Sequence, residues 1–411
     1  IKDASPKTPN APLPFAFKKT EHFEKDRLHD ALLDVRSELA DHYFWTGLTG
    51  GTQNPSNQQK DFPLQFPYAV PRTLIQRDGE LRIKFQGISR EGNAQHLARI
   101  QFNGIQLGTV VQWRQQAAPL VTRIIEQRRF IQPDSANFLT IIAEDQNGTP
   151  PSQVDFYLDW FELDYWHTFQ AAGGSLEFSS DTEPRMTGTV QYRVTDLRRP
   201  DIDVYQLRGE SLIAKLVNGK VDVEGKNYTI TFEDQVTQPS RYFVVERDSY
   251  AQVNRLAKAK QSVPLRNPAN QADYIIISHR DFLSSIQPLA DFRKSQGLSV
   301  MSVDVDEVYD QFSNGIFNPL AIQKFLRYAL TSWRAPKPTY VLLVGDAHYD
   351  YKSSIVKLYQ EDHINYNLYP IYVPTFHGWS PESGETAMDH RFVTVSGDDP
   401  LPDMFIGRLS V

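Results

Sequence analysis

The spacing of apolar and polar positions changes character several times along the chain. Residues 27–39 place Leu28, Ala31, Leu32, Val35 and Leu39 at helical intervals, which predicts an amphipathic helix. From residue 43 to residue 166 the period is mostly two. Leu81-Arg82-Ile83-Lys84-Phe85 alternates strictly, and Leu97-Ala98-Arg99-Ile100-Gln101-Phe102 alternates more loosely. The second run meets Asn103-Gly104, a strong short hairpin signal, and Ile105 and Leu107 follow. Residues 138–142 and 154–165 add further strands. Short strands with frequent turns predict a β-sandwich of jelly-roll type. With residues 1–14, an extended or mobile lead-in holding four prolines, it forms a first domain over 1–170.

A second β-rich stretch predicts a smaller sandwich over 171–255. Its strands are read at 190–194, 204–207, 228–232 and 241–245, with turns at Asn218-Gly219 and Gly225. A polar linker spans 251–271. Beyond it the pattern becomes that of an α/β domain, 256–411. Residues 274–277 are continuously apolar, as in a strand buried on both faces. Residues 282–295 read as a helix with Ile286, Leu289 and Phe292 on one side, closed by Gly297. A strand at 298–303 and a short helix at 308–312 follow. Pro319 opens a longer helix carrying Ile322, Phe325, Leu326 and Leu330. The strand at 340–344 ends at Gly345-Asp346. Strands alternating with helices predict a parallel sheet with right-handed crossovers.

Composition removes some function classes. The net charge of -7 leaves no basic footprint for nucleic acid. No apolar run approaches the ~20 residues of a membrane helix. Cysteine is absent, so these residues can form no disulfide and supply no thiol nucleophile. Residue 1 is Ile and not Met, so an upstream part, such as a signal peptide or pro-segment, is expected to have been removed or not included.

Two places could carry chemistry. Asp346 follows a buried strand, where sites of open α/β sheets gather; it reads equally as a capping aspartate. In the tail, Asp389 precedes Gly397-Asp398-Asp399-Pro400-Leu401-Pro402-Asp403 and Ile406-Gly407-Arg408. Calcium takes hard oxygens from carboxylates and backbone carbonyls. Asp399, the Leu401 carbonyl and Asp403 could converge on one ion; the other reading is a solvated acidic turn. His377, in Phe376-His377-Gly378, reads as a loop histidine. His348 and His390 lack zinc-type spacing.

Residues 274–411 resemble the gingipain-type peptidase family C25. The matching blocks are Tyr274-Ile275-Ile276-Ile277, Pro288-Leu289-Ala290 with Gly297, and Tyr340-Val341-Leu342-Leu343-Val344-Gly345-Asp346. They continue with Tyr372-Val373-Pro374-Thr375, Asp389 with Phe392, Gly397-Asp398-Asp399 through Asp403, and Ile406-Gly407-Arg408-Leu409-Ser410. The front of the chain is similar to carbohydrate-binding jelly rolls, and to the N-terminal domains of large gingipain-like proteins. Asn103 to Gly108, Trp113 and Tyr157 to Leu163 carry that likeness; Trp113, Trp160 and Trp166 read first as core aromatics.

The C25 resemblance implies a caspase-like α/β fold and cysteine endopeptidase activity on proteins or peptides, in a secreted or cell-surface bacterial protein. It also implies structural calcium at Asp399, Leu401 and Asp403, with Asp346 and Asp389 as further candidates. The family's histidine and cysteine follow the Ile-Gly-Arg block, so the expected partner is a C-terminal catalytic segment that supplies both. Two alternatives stay open: a sortase-like transpeptidase of a bacterial secretion system, and a non-catalytic surface or sugar-binding protein with an inactive peptidase half.

Overall fold

Strict alternation produces a regular strand. Gly79–Gly87 turns Leu81, Ile83 and Phe85 inward and Arg82, Lys84 and Gln86 outward. In this computed structural model the described residues are 1–30, 42–49, 59–65, 77–89, 95–132, 135–144, 156–209, 211–251, 263–348, 371–380 and 384–411. They divide into two units. One holds 1–25 and 45–256; the other holds 26–44 and 257–411.

The first unit contains two β-sandwiches. In the first, a sheet runs in the order Leu120–Ile125, Gly79–Gly87, Phe156–Thr168, Ala16–Glu24, Thr182–Glu183. It faces a sheet ordered Val111–Arg114, Gln95–Phe102, Ala136–Ala143, Gln59–Gln65. Phe85, Phe102, Leu139, Phe156 and Phe161 fill the space between them. The expected hairpin forms at Asn103-Gly104, both with positive φ, and returns through Ile105–Gln106. Trp113 stacks on Phe85 and meets Phe156 edge-on. It is only 7% exposed, which removes it as a sugar platform. Trp166 is buried as well; Trp160 is half-buried beside His22.

The second sandwich sets Lys2–Asp3, Ser211–Val217, Ile202–Arg208, Arg241–Glu246 and Ser175–Ser179 against Gly188–Leu197, Asn227–Val236 and Lys220–Glu224. Its centre is aromatic: Phe178, Tyr192, Phe232 and Tyr242 touch one another. The N-terminal lead-in is thus part of this sandwich's sheet.

Residues 27–30 differ from the helical reading. Leu28–His29 is a strand paired antiparallel with Tyr43–Phe44. Pairing with a partner distant in sequence overrides the local periodicity here. Residues 31–39, the remainder of the expected helix, lie outside the described residues.

The second unit is built on four parallel strands in the order Val300–Asp304, Tyr274–Ser278, Tyr340–Val344, Phe405–Leu409. Helices lie on both faces, which is why the central strands are apolar throughout. Ile275, Ile277, Val341 and Leu343 meet helices Val305–Phe312 and Pro319–Ser332. Ile276 and Val344 meet helix Gln287–Ser295 through Ile286 and Ala290. Asn318 caps the long helix by accepting from the Leu320 N–H at 2.9 Å, with Pro319 following. Asp304 caps its neighbour in the same way at 3.1 Å. The helix expected from 282 begins at Gln287, after a 3₁₀ turn Arg280–Phe282. Phe292, expected on its buried side, is 54% exposed, because the helix packs through Ile286, Leu289 and Ala290.

Candidate functional site at the carboxyl ends of the parallel strands

The four strands end on one side, at Ser278, Asp304, Val344 and Leu409. The chain passes from Tyr274–Ser278 to a neighbour on one flank and later to Tyr340–Val344 on the other. The reversal lies between those two strands, the position at which open α/β sheets form crevices. His279 follows the first strand and Gly345-Asp346 follows the second.

Segment 371–376 is tied down at this edge. The N–H groups of Tyr372 and Val373 donate to the Asp346 carbonyl at 3.0 and 3.2 Å. The Tyr372 ring lies 4.6 Å from that of Phe282 and 5.2 Å from that of His279. Gly345 has φ +131°, and a Cβ there would come within 2.5 Å of the Tyr372 Cβ. Glycine is therefore required twice, by backbone conformation and by the close approach.

Arg408 fastens this arrangement from the edge strand Phe405–Leu409. Its Nε and Nη2 donate to the two Asp389 oxygens, each at 2.8 Å. Nη1 donates to the carbonyls of Gly345 and Val373, each at 2.7 Å. Nη2 also donates to the Pro374 carbonyl at 2.8 Å. All five N–H donors of the guanidinium are used. Asp389 accepts in addition from the Thr375 hydroxyl at 2.6 Å. Burial pushes the Asp389 carboxyl up, but Arg408 and the Thr375 hydroxyl outweigh it, holding the carboxyl below its usual range. Only a guanidinium offers a fork for one carboxylate and further donors for three carbonyls.

The five candidate metal residues fall in two places. Asp389 is held by Arg408, with both of its oxygens engaged, and Asp346 lies beside it, next to Gly345, its backbone carbonyl accepting from Tyr372 and Val373. Asp399, Leu401 and Asp403 lie in the turn before the edge strand. There Asp399 Oδ1 accepts from the Leu401 N–H at 2.9 Å. Asp403 Oδ2 accepts from the N–H groups of Val395 and Ser396 at 2.7 and 2.8 Å. Among the described residues, no group of three or more His, Asp or Glu is placed to hold a metal ion. His377 sits on strand His377–Ser380, its ring 6.5 Å from that of His29. His390 is exposed on the turn Asp389–Val393.

Arg408 was visible in the sequence only as part of the Ile406-Gly407-Arg408 block. Its role depends on carbonyls at residues 345, 373 and 374, which no local pattern connects.

Residues 267–411 match the model of peptidase family C25. Over its whole length the chain has the fold of the crystal structure of dimeric latent PorU from Porphyromonas gingivalis. The TM-score is 0.67 at 14% identity, and the match covers 100% of this chain and 38% of that chain. The chain thus spans well under half of that protein. Two carbohydrate-binding modules match far more weakly. The CBM36-1 domain of a multidomain xylanase from the hindgut metagenome of Trinervitermes trinervoides gives a TM-score of 0.21 at 10% identity, over 35% of this chain and 96% of that one. A family 35 module from Clostridium thermocellum gives 0.18 at 9%, over 36% and 90%. Scores this low carry no argument. No curated protein matches the chain.

Proposed function

We propose that this chain is the N-terminal portion of a secreted or cell-surface, gingipain-like cysteine endopeptidase of bacterial origin. The observation that carries the reading is the C25 match over 267–411, which falls on a parallel sheet with an ordered carboxyl edge. The 411 residues contain no cysteine, so the thiolate comes from a segment outside them. The order of the family's motifs puts the activating imidazole in that same segment. The thiolate sulfur attacks the peptide carbonyl carbon and the C–N bond breaks. The amine leaves with a proton from the imidazolium, and water then hydrolyses the thioester. Backbone N–H groups stabilise the oxyanion. This chain's part is to hold segment 371–376 and the end of strand Tyr340–Val344 in register, through Arg408.

The test is the denaturing mass of the natively purified protein before and after iodoacetamide, joined to a peptide-cleavage assay. A catalytic component that gains one alkyl group and loses cleavage with it supports the reading. Material with no alkylatable thiol refutes it and leaves a non-catalytic scaffold. A product that forms only when an amine acceptor is present would assign transpeptidation instead.

Structural calcium at Asp399, the Leu401 carbonyl and Asp403 belongs to the same proposal. It is supported by the C25 resemblance and by the acidic run Asp398, Asp399 and Asp403, which follows Gly397. An ion bound only by the folded chain stabilises it by mass action, so chelation lowers the unfolding temperature. An unchanged temperature would sink the calcium assignment.

A further inference from the structure

Residues 1–12 complete a sandwich other than the one the chain enters next. Lys2–Asp3 pairs in parallel with Leu216 and Val217, at the edge of the second sandwich. The Ala4 N–H donates to the Val217 carbonyl at 2.8 Å, and the Ala4 carbonyl accepts from the Glu233 N–H at 2.9 Å. Val217 and Glu233 belong to opposite sheets, so this one residue joins both, where strand Ser211–Val217 leaves its sheet through Asn218-Gly219. The Ala4 side chain enters the aromatic core.

Two side-chain anchors accompany these backbone bonds. The Lys2 ammonium pairs with Asp234, whose side chain is wholly buried. The Tyr242 hydroxyl and the Gln206 amide also donate to Asp234, at 2.7 and 2.9 Å. Thr8 donates its N–H and hydroxyl to Glu233 at 3.0 and 2.9 Å. Gln191 donates its backbone N–H to the Pro12 carbonyl at 2.9 Å and its side-chain amide to the Thr8 carbonyl at 3.2 Å. These partners all come from the body of the sandwich. Main-chain bonds supply affinity and two pockets supply selectivity, which is how an extended peptide binds a sheet edge.

We propose that the second sandwich carries a peptide-binding groove, filled in this chain by residues 1–12, that selects lysine at the Asp234 socket and a small residue two positions later. The cation is needed because Asp234 without it is a buried, under-compensated charge. The small residue is needed because the core around Ala4 is close-packed. The groove lies in the β-rich unit, and the peptidase reading can fail without affecting it.

The experiment uses the full chain with a site-specific protease sequence inserted between Pro12 and Leu13, both exposed. The protein is folded, cut and passed over a gel-filtration column, with circular dichroism recording its β content. The cut segment is expected to co-elute with the body. In a Lys2→Met version it is expected to come off. Labelled wild-type peptide should then rebind that body at least about tenfold more tightly than labelled Lys2→Met peptide. The proposal is overturned if the wild-type segment leaves a body that stays folded. Equal retention of the Lys2→Met segment overturns it too, as does a body that unfolds on cutting and is not restored by added peptide.

Discussion

Two carboxylates, one in each unit, are held by a cation in different ways. Asp234 in the second sandwich is held by Lys2, from a segment at the sheet edge. Asp389 in the second unit is held by Arg408, from a strand of the parallel sheet. The ammonium is a point charge: it neutralises Asp234 and leaves Tyr242 and Gln206 to orient it. The guanidinium neutralises Asp389 and also binds three backbone carbonyls. Lysine here secures a replaceable strap, whereas arginine builds a fixed junction between loops.

The largest break in this comparison is Arg408→Ala. It leaves Asp389 without its cation and three carbonyls without their donor, and should cost about 3 kcal/mol of stability. Urea unfolding, followed by tryptophan fluorescence, measures it. Arg408→Lys keeps the charge and loses the fork. It should recover less than half of that loss, and full recovery would show that charge alone matters at this site.

Lys2→Met is expected to cost less, about 1–2 kcal/mol, because the Lys2 side chain is 40% exposed and water partly screens the pair. A loss equal to that of Arg408→Ala would erase the distinction drawn here.

The smallest effect is one of pH. The Asp389 carboxyl is held below its usual range by Arg408. Its contribution to stability is therefore complete above the ordinary carboxylate value, about 3.9. It is lost as pH falls through the lower, folded value. The stability gap between the wild-type chain and Arg408→Ala should narrow on acidification from about pH 6 to about pH 3. Parallel curves would mean that Arg408 acts through the carbonyls and not through Asp389.

Much of the fold was legible wherever one rule governed a stretch by itself. Gly79–Gly87 reads as a strand because every second residue faces a core. Tyr274–Ser278 and Tyr340–Val344 read as doubly covered strands because both faces are apolar. The fourth parallel strand is visible in the sequence as a motif and not as a strand. In Phe405–Leu409 the side chains of Phe405 and Leu409 are exposed among the described residues, and Gly407 and Arg408 interrupt the apolar run, so its pattern announces no core. The candidate site was legible only in part. Gly345-Asp346 stands out because it ends an apolar run; Tyr372 and Arg408 stand in motif blocks that do not reveal their roles.

By itself the sequence determined the β-rich front, the parallel sheet and its family block, and the absence of a thiol. Each follows from residues near one another in the chain or from a simple count. Tertiary structure alone decided that a proline-rich lead-in would close the second sandwich, that Leu28–His29 would pair instead of coiling, and that Arg408 would bind five acceptors. Those outcomes join groups from 14 residues apart, as in His29 with Tyr43, to more than two hundred apart, as in Ala4 with Val217. Their free energy comes from burial and from hydrogen bonds that exist only once the chain has closed, so no local period records them.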